Sequence, residues 1–138
     1  MNGPALAARG PQVAVAWHTE AQDLPRVRLA ISENSAASFG RPIDVHHGTP
    51  LGRVDLVSWG PGSDLLVSYL TTVGDQTGLF VRRVHEGKAG PPVRVAGLEG
   101  ARGDGCPRMI RSRDRALIAW TSNTGSGCQV RCAWIEAR

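Results

Sequence analysis

Two arginines, Arg53 and Arg108, stand at the entrance of short apolar strands, and each has an acid close by in sequence, Asp55 and Asp104. A planar guanidinium presents paired N–H donors that fit a carboxylate in a bidentate fork, so two at one mouth make an anion grip. Salt bridging to those acids and to the linking loops is the plainer use of the same residues. His18 follows the strand-ending Trp17 and is placed to hydrogen-bond a ligand or to take a proton there. His46 and His47 are adjacent, and neighbours on an extended chain point apart, so the pair does not chelate one metal. They are expected to be solvent-exposed or to cap a loop.

Tyr69 as a nucleophile would need a partner carboxylate, and neither Glu86 nor Glu99 is well placed in sequence. A core plug is the simpler role for its ring. Ser126 sits in the hairpin turn Gly125-Ser126-Gly127, which lacks the strand-to-helix setting of a nucleophile elbow. Cys128 and Cys132 are four apart on an expected strand, roughly 13 Å from each other and beyond disulfide reach. A bond between Cys106 and Cys128 is geometrically conceivable, but free thiols are the expectation. No cysteine or histidine grouping has zinc spacing. The candidate ligand-binding set is therefore Arg53, Arg108, Asp55, Asp104, His18 and Tyr69, with no catalytic group, metal or cofactor assigned.

The elements that must position these residues repeat. Val13-Ala14-Val15-Ala16-Trp17, Leu65-Leu66-Val67-Ser68-Tyr69 and Ala116-Leu117-Ile118-Ala119-Trp120 are apolar strands, each ending in an aromatic ring. Their aromatics are 52 and then 51 residues apart. A turn rich in Gly, Asp or Arg precedes each, and before that comes another short strand: Ala5 to Ala8, Val54 to Trp59, and Arg108 to Arg111. A third strand follows in each repeat, Arg26 to Ser32, Leu79 to His85 and Gln129 to Ile135. The first two repeats add a fourth after a Gly/Pro turn, Gly40 to Val45 and Gly90 to Val95. No window of adequate length has apolar residues at helical spacing.

Four short antiparallel strands in about 50 residues make one blade of a β-propeller. The reading is a single all-β domain, 1–138, of three blades at approximately 3–48, 49–100 and 101–138, the last lacking a strand. The apolar second strand of each is expected to pack on both faces. Three wedge-shaped blades cannot close a ring and would leave two apolar faces open. A two-fold dimer, giving six blades, is the expected assembly.

The third strand of the first repeat runs into Ser32-Glu33-Asn34-Ser35-Ala36-Ala37-Ser38-Phe39. This resembles the Asp-box of sialidase-like (BNR-repeat) propellers, Ser-x-Asp-x-Gly-x-Thr-Trp, with Asn34 at the Asp position and Ala36 at the Gly. The resemblance, to the C-terminal half of a bacterial member, implies that Asn34 holds backbone amides of the turn while Phe39 packs beneath. Sialidases gather an arginine triad, a Tyr/Glu pair and an Asp acid/base from several blades. The blades expected to supply one triad arginine and the acid/base Asp are missing here. The implied function is a non-enzymatic half-propeller that self-associates and binds a small anion or glycan at its channel mouth. A glycoside hydrolase assembled at a dimer axis, or a protein-interaction scaffold, are the rivals.

Composition is compatible with this. The chain has 138 residues, 17 Gly and 9 Pro, which favours many short elements. Its net charge is +4, but the basic residues are scattered and no aromatics interleave with them, so no nucleic-acid partner is expected. No apolar run is long enough to span a bilayer and no signal peptide is evident, so the sequence predicts a soluble cytoplasmic chain without a membrane partner.

Overall fold

The computed structural model describes residues 3–98, 107–123 and 125–136, and those residues form an all-β protein of three antiparallel sheets. Sheet one contains β1 (Ala5–Arg9), β2 (Gln12–Thr19), β3 (Arg26–Ser32) and β4 (Ile43–His47), in that order. Sheet two contains β5 (Pro50–Trp59), β6 (Asp64–Val73), β7 (Gln76–His85), β8 (Lys88–Ala89) and β9 (Val93–Leu98). Sheet three contains β10 (Arg108–Ser112), β11 (Arg115–Asn123) and β12 (Cys128–Glu136). One 3-10 turn, Ala21–Asp23, links β2 to β3.

Each sheet is a meander in which consecutive strands pair, the arrangement that short turns between antiparallel strands dictate. The aromatics of the repeat occupy one register position: Trp17 pairs Arg28, Tyr69 pairs Phe80 and Trp120 pairs Arg131. Among the described residues twelve strands appear where the sequence suggests eleven, because the fourth strand of sheet two is split. Both β8 and β9 pair with β7, and Gly90-Pro91-Pro92 separates them. Proline has no N–H to give the ladder, so the strand breaks there. In sheet one the same effect delays β4 until after Pro42.

Sheet two lies between the other two. Ala14, Ala16, Val27 and Leu29 of sheet one meet Val54, Leu65, Val67 and Tyr69 in one core cluster. Leu66, Leu79 and Val81, on the opposite face, meet Ala116, Ile118 and Trp120 in a second. Burial on both faces therefore holds for β6, which is buried from Asp64 to Thr71, but not for β2 and β11. There the buried residues alternate with half-exposed ones, since each outer sheet has a neighbour on one side. Two faces thus stay open in the single chain, as three repeats by themselves were expected to leave them.

Polar clips join the sheets at their first strands. Arg9 Nη1 donates to Gly60 O at 2.9 Å and also to Gly62 O, while Gln12 Nε2 donates to Ser63 O at 2.8 Å. On the other side the buried Asp55 carboxylate accepts the Met109 N–H at 2.6 Å. β1 and β10 both touch β5, so the three first strands lie together, bordering a groove of about 460 Å³ between Leu6, Arg9, Ser58 and Arg111.

The Ser32–Phe39 turn is held as its sequence suggests. Asn34 Oδ1 accepts the Ser38 N–H at 2.9 Å and the Ser32 hydroxyl at 2.9 Å, and Ser32 Oγ accepts the Ala36 N–H at 2.9 Å. Phe39 does not pack beneath the turn: it is 43% exposed. The tightness of this short loop comes from its hydrogen bonds.

Candidate functional site

The described candidate residues gather toward the end of the molecule where β5 and β10 begin. β5 takes one residue more than β6 between Gly52 and Asp55, a bulge that puts Arg53 in the left-handed region at φ 56°. Bulges re-aim side chains, and here the shift turns Asp55 toward sheet three. Asp55 is 6% exposed, and its carboxylate lies 3.7 Å from Arg108 Nε besides accepting the Met109 N–H. The acid nearest Arg53 in sequence thus bridges two sheets, and Arg108 takes that acid as its partner. Asp104, like Glu99 and Cys106, lies outside the described residues.

His18 sits on the face of sheet one turned to sheet two, opposite Val27, with Nε2 4.0 Å from the exposed Glu20 carboxylate. Its Nε2 is buried without a hydrogen bond. Tyr69 is wholly buried, its hydroxyl accepting a hydrogen bond from Arg82 Nε at 3.1 Å. The ring lies stacked with those of Phe80 and His46, with centroids 6.1 Å and 4.7 Å away. Tyr69 is a core plug tied by a cation, and Glu86 lies exposed at a distant turn. No tyrosine–carboxylate pair forms among the described residues.

His46 departs from the sequence reading. It is half-buried at the end of β4, its Nε2 3.1 Å from Thr71 Oγ1, and it lines a cavity of about 260 Å³ with Thr49, Thr71, Phe80 and Pro92. Burial, with Arg82 and His47 nearby, lowers its pKa below the usual histidine value. The cause is a shift in pairing: Arg28 faces Asp44 but Val27 faces His46, so Val45 is an extra residue and His46 turns inward. A bulge of this kind leaves no mark in the residue pattern. His47 points out, as neighbours in a strand should, with Nε2 3.6 Å from Asp44.

At the opposite end Asp64 gathers Arg83 and His85, with Arg83 Nε at 2.6 Å and His85 Nδ1 at 2.7 Å. Burial by itself raises the carboxyl pKa, but the His85 and Arg83 hydrogen bonds outweigh it and hold the group below its usual value. These residues recur at no equivalent position of the other repeats, so periodicity could not find them. Cys128 and Cys132 are free and exposed on β12. Among the described residues no three His, Cys, Asp or Glu side chains could hold a metal, and no helix is long and apolar enough to cross a membrane.

What these residues offer chemically is charge on a rigid frame: Arg53 on the β5 bulge and Arg108 beside the buried Asp55, with no general base matched to a nucleophile among the described residues. No family model matches the sequence, and no curated protein matches it.

Proposed function

We propose that this chain is half of a sialidase-like, six-bladed propeller, a non-enzymatic module that pairs with a second copy and binds a small anion or glycan at the channel mouth. The observation that carries the reading is the identity of the two open faces. In sheets two and three the residues turned toward the preceding sheet are Leu65-Val67-Tyr69 and Ala116-Ile118-Trp120. The same repeat positions in sheet one are Val13, Val15 and Trp17, which have no sheet over them. At the far end Ile110 and Leu117 pair side by side on the uncovered face of sheet three. Leu6 and Ile110 are 67% and 64% exposed.

Sheet three of one copy laid on sheet one of the next repeats a junction the chain already makes twice. A two-fold axis makes both junctions at once and closes the ring, which is how a heterologous contact avoids becoming a fibre. The convergence of β1, β5 and β10 around a shared groove supports the same geometry. Arg53 and Arg108 at that end supply the anion grip. The engagement of Asp55 with Met109 and Arg108, and of the Tyr69 hydroxyl with Arg82, argues for binding without turnover.

Sedimentation equilibrium tests the assembly, with an expected mass twice the 14.7 kDa of the chain. A monomer with a cooperative unfolding transition overturns it. A glycan-array signal lost in Arg53→Ala and Arg108→Ala supports the mouth as the site, and turnover of a fluorogenic sialoside by pure protein overturns the non-enzymatic reading.

A further inference from the structure

In sheets one and two a fourth strand covers the edge of the third, whereas β12 pairs only with β11 among the described residues. The uncovered edge borders a cleft of about 810 Å³, with Pro91, Val93 and Val95 of sheet two as its far wall and Ala133 and Ile135 on the near side. Val93 is 57% exposed there. A bare edge beside an apolar wall is a template for strand addition, in which main-chain hydrogen bonds give affinity and alternate side chains give selectivity.

The register fixes what such a strand must carry. Arg28, Phe80 and Arg131 are the same position in the three sheets, each opposite the aromatic of its second strand. In sheet one the fourth strand sets Asp44 opposite Arg28, with Arg28 Nε 2.8 Å from the carboxylate. Arg131 shares its strand face with Trp120, the face turned to sheet two, and has no acidic partner among the described residues. Ala133 and Ile135 follow on that face and pack on the second core cluster.

We propose that β12 accepts an extended peptide from a separate chain, antiparallel, with two apolar residues at alternate positions and an acidic residue two places on. These meet Ile135, Ala133 and Arg131 in turn. With aliphatic residues the pattern occurs once in this sequence, at Leu29-Ala30-Ile31-Ser32-Glu33, which lies in β3 and the turn after it. Leu29 to Ser32 of that segment are already paired with β2, and Leu29 also with β4, so the segment is built into sheet one and no loop of a second copy supplies the strand. The site uses an edge and the ring junctions use faces, so either can fail without the other.

The test is fluorescence anisotropy with a short labelled peptide in which valine alternates with threonine and aspartate replaces the last valine. Saturable binding is expected, weakened about tenfold when that aspartate becomes lysine, as charge reversal at a partly desolvated pair does. Arg131 is exposed, so Arg131→Glu folds normally and is expected to reverse the preference. Equal binding of both peptides, no saturation, or a preference unchanged in Arg131→Glu overturns the proposal. A peptide-induced fall in sedimenting mass overturns it too, because it assigns the edge to a second copy.

Discussion

Ala36 holds φ 67° in the turn after β3, and the neighbouring Ser35 holds 58°. An L-residue in that region carries roughly 1 kcal/mol of strain that glycine does not. The resembling motif has glycine where Ala36 stands, so Ala36→Gly is expected to stabilise the chain by about 0.5–1 kcal/mol, offset in part by the freedom it gives the unfolded state. Matched urea denaturation curves measure it, and an unchanged or lower midpoint refutes the strain. His46 makes a second residue-scale prediction. Its pKa is lower in the folded chain than unfolded, so the unfolded state takes the proton first. The stability His46 contributes is complete above about pH 6.5 and is lost as pH falls below that value. His46→Phe should flatten the decline in melting temperature between about pH 7 and pH 5 relative to the parent, and identical slopes would show that His46 is not the group responsible.

Elements carry the link between sheets two and three. The β5 bulge turns Asp55 under the start of β10, where its carboxylate holds the Met109 N–H. Asp55→Ala leaves that amide without its acceptor and is expected to cost about 1–3 kcal/mol, while Asp55→Asn keeps an acceptor and costs less. If the two variants melt alike, the hydrogen bond is not what joins the sheets. Strand positions and the three-fold repeat were legible because alternation and aromatic spacing report backbone period directly. The bulges at Arg53 and Val45, two of the register shifts between strands, were not. Each inserts an extra residue that re-aims the side chains after it; Val45 leaves no mark in the sequence, and the mark at Arg53 is the preceding Gly52, at φ 86°. That is why Asp55 was read as the partner of its sequence neighbour, and why His46 was read as a loop residue.

At the scale of the whole molecule, uncovered apolar faces at both ends of the stack decide its behaviour. Leu6→Glu and Ile110→Glu each change a residue exposed in the single chain, so the fold should tolerate them. In the proposed dimer each would bury a charge in the junction, so each is expected to leave the chain monomeric. Sedimentation of both variants checks this, and a retained dimer would move the interface elsewhere. The stacking order itself, and which arginine meets which acid, depend on contacts between repeats. Spacing within one repeat does not encode these.

The clips between sheets have a consequence for how the chain comes off the ribosome. Arg9 reaches Gly60, Gln12 reaches Ser63, and Met109 reaches back to Asp55, separations of 51, 51 and 54 residues. Each of these three links spans about one repeat. Each sheet can therefore be locked as soon as its successor emerges, without waiting for the C-terminus, which suits domains that fold from the N-terminus during synthesis. Under the proposed pairing, the outer face of sheet three emerges after the first two sheets have locked together, so chains made side by side on one message would be the readiest partners for one another.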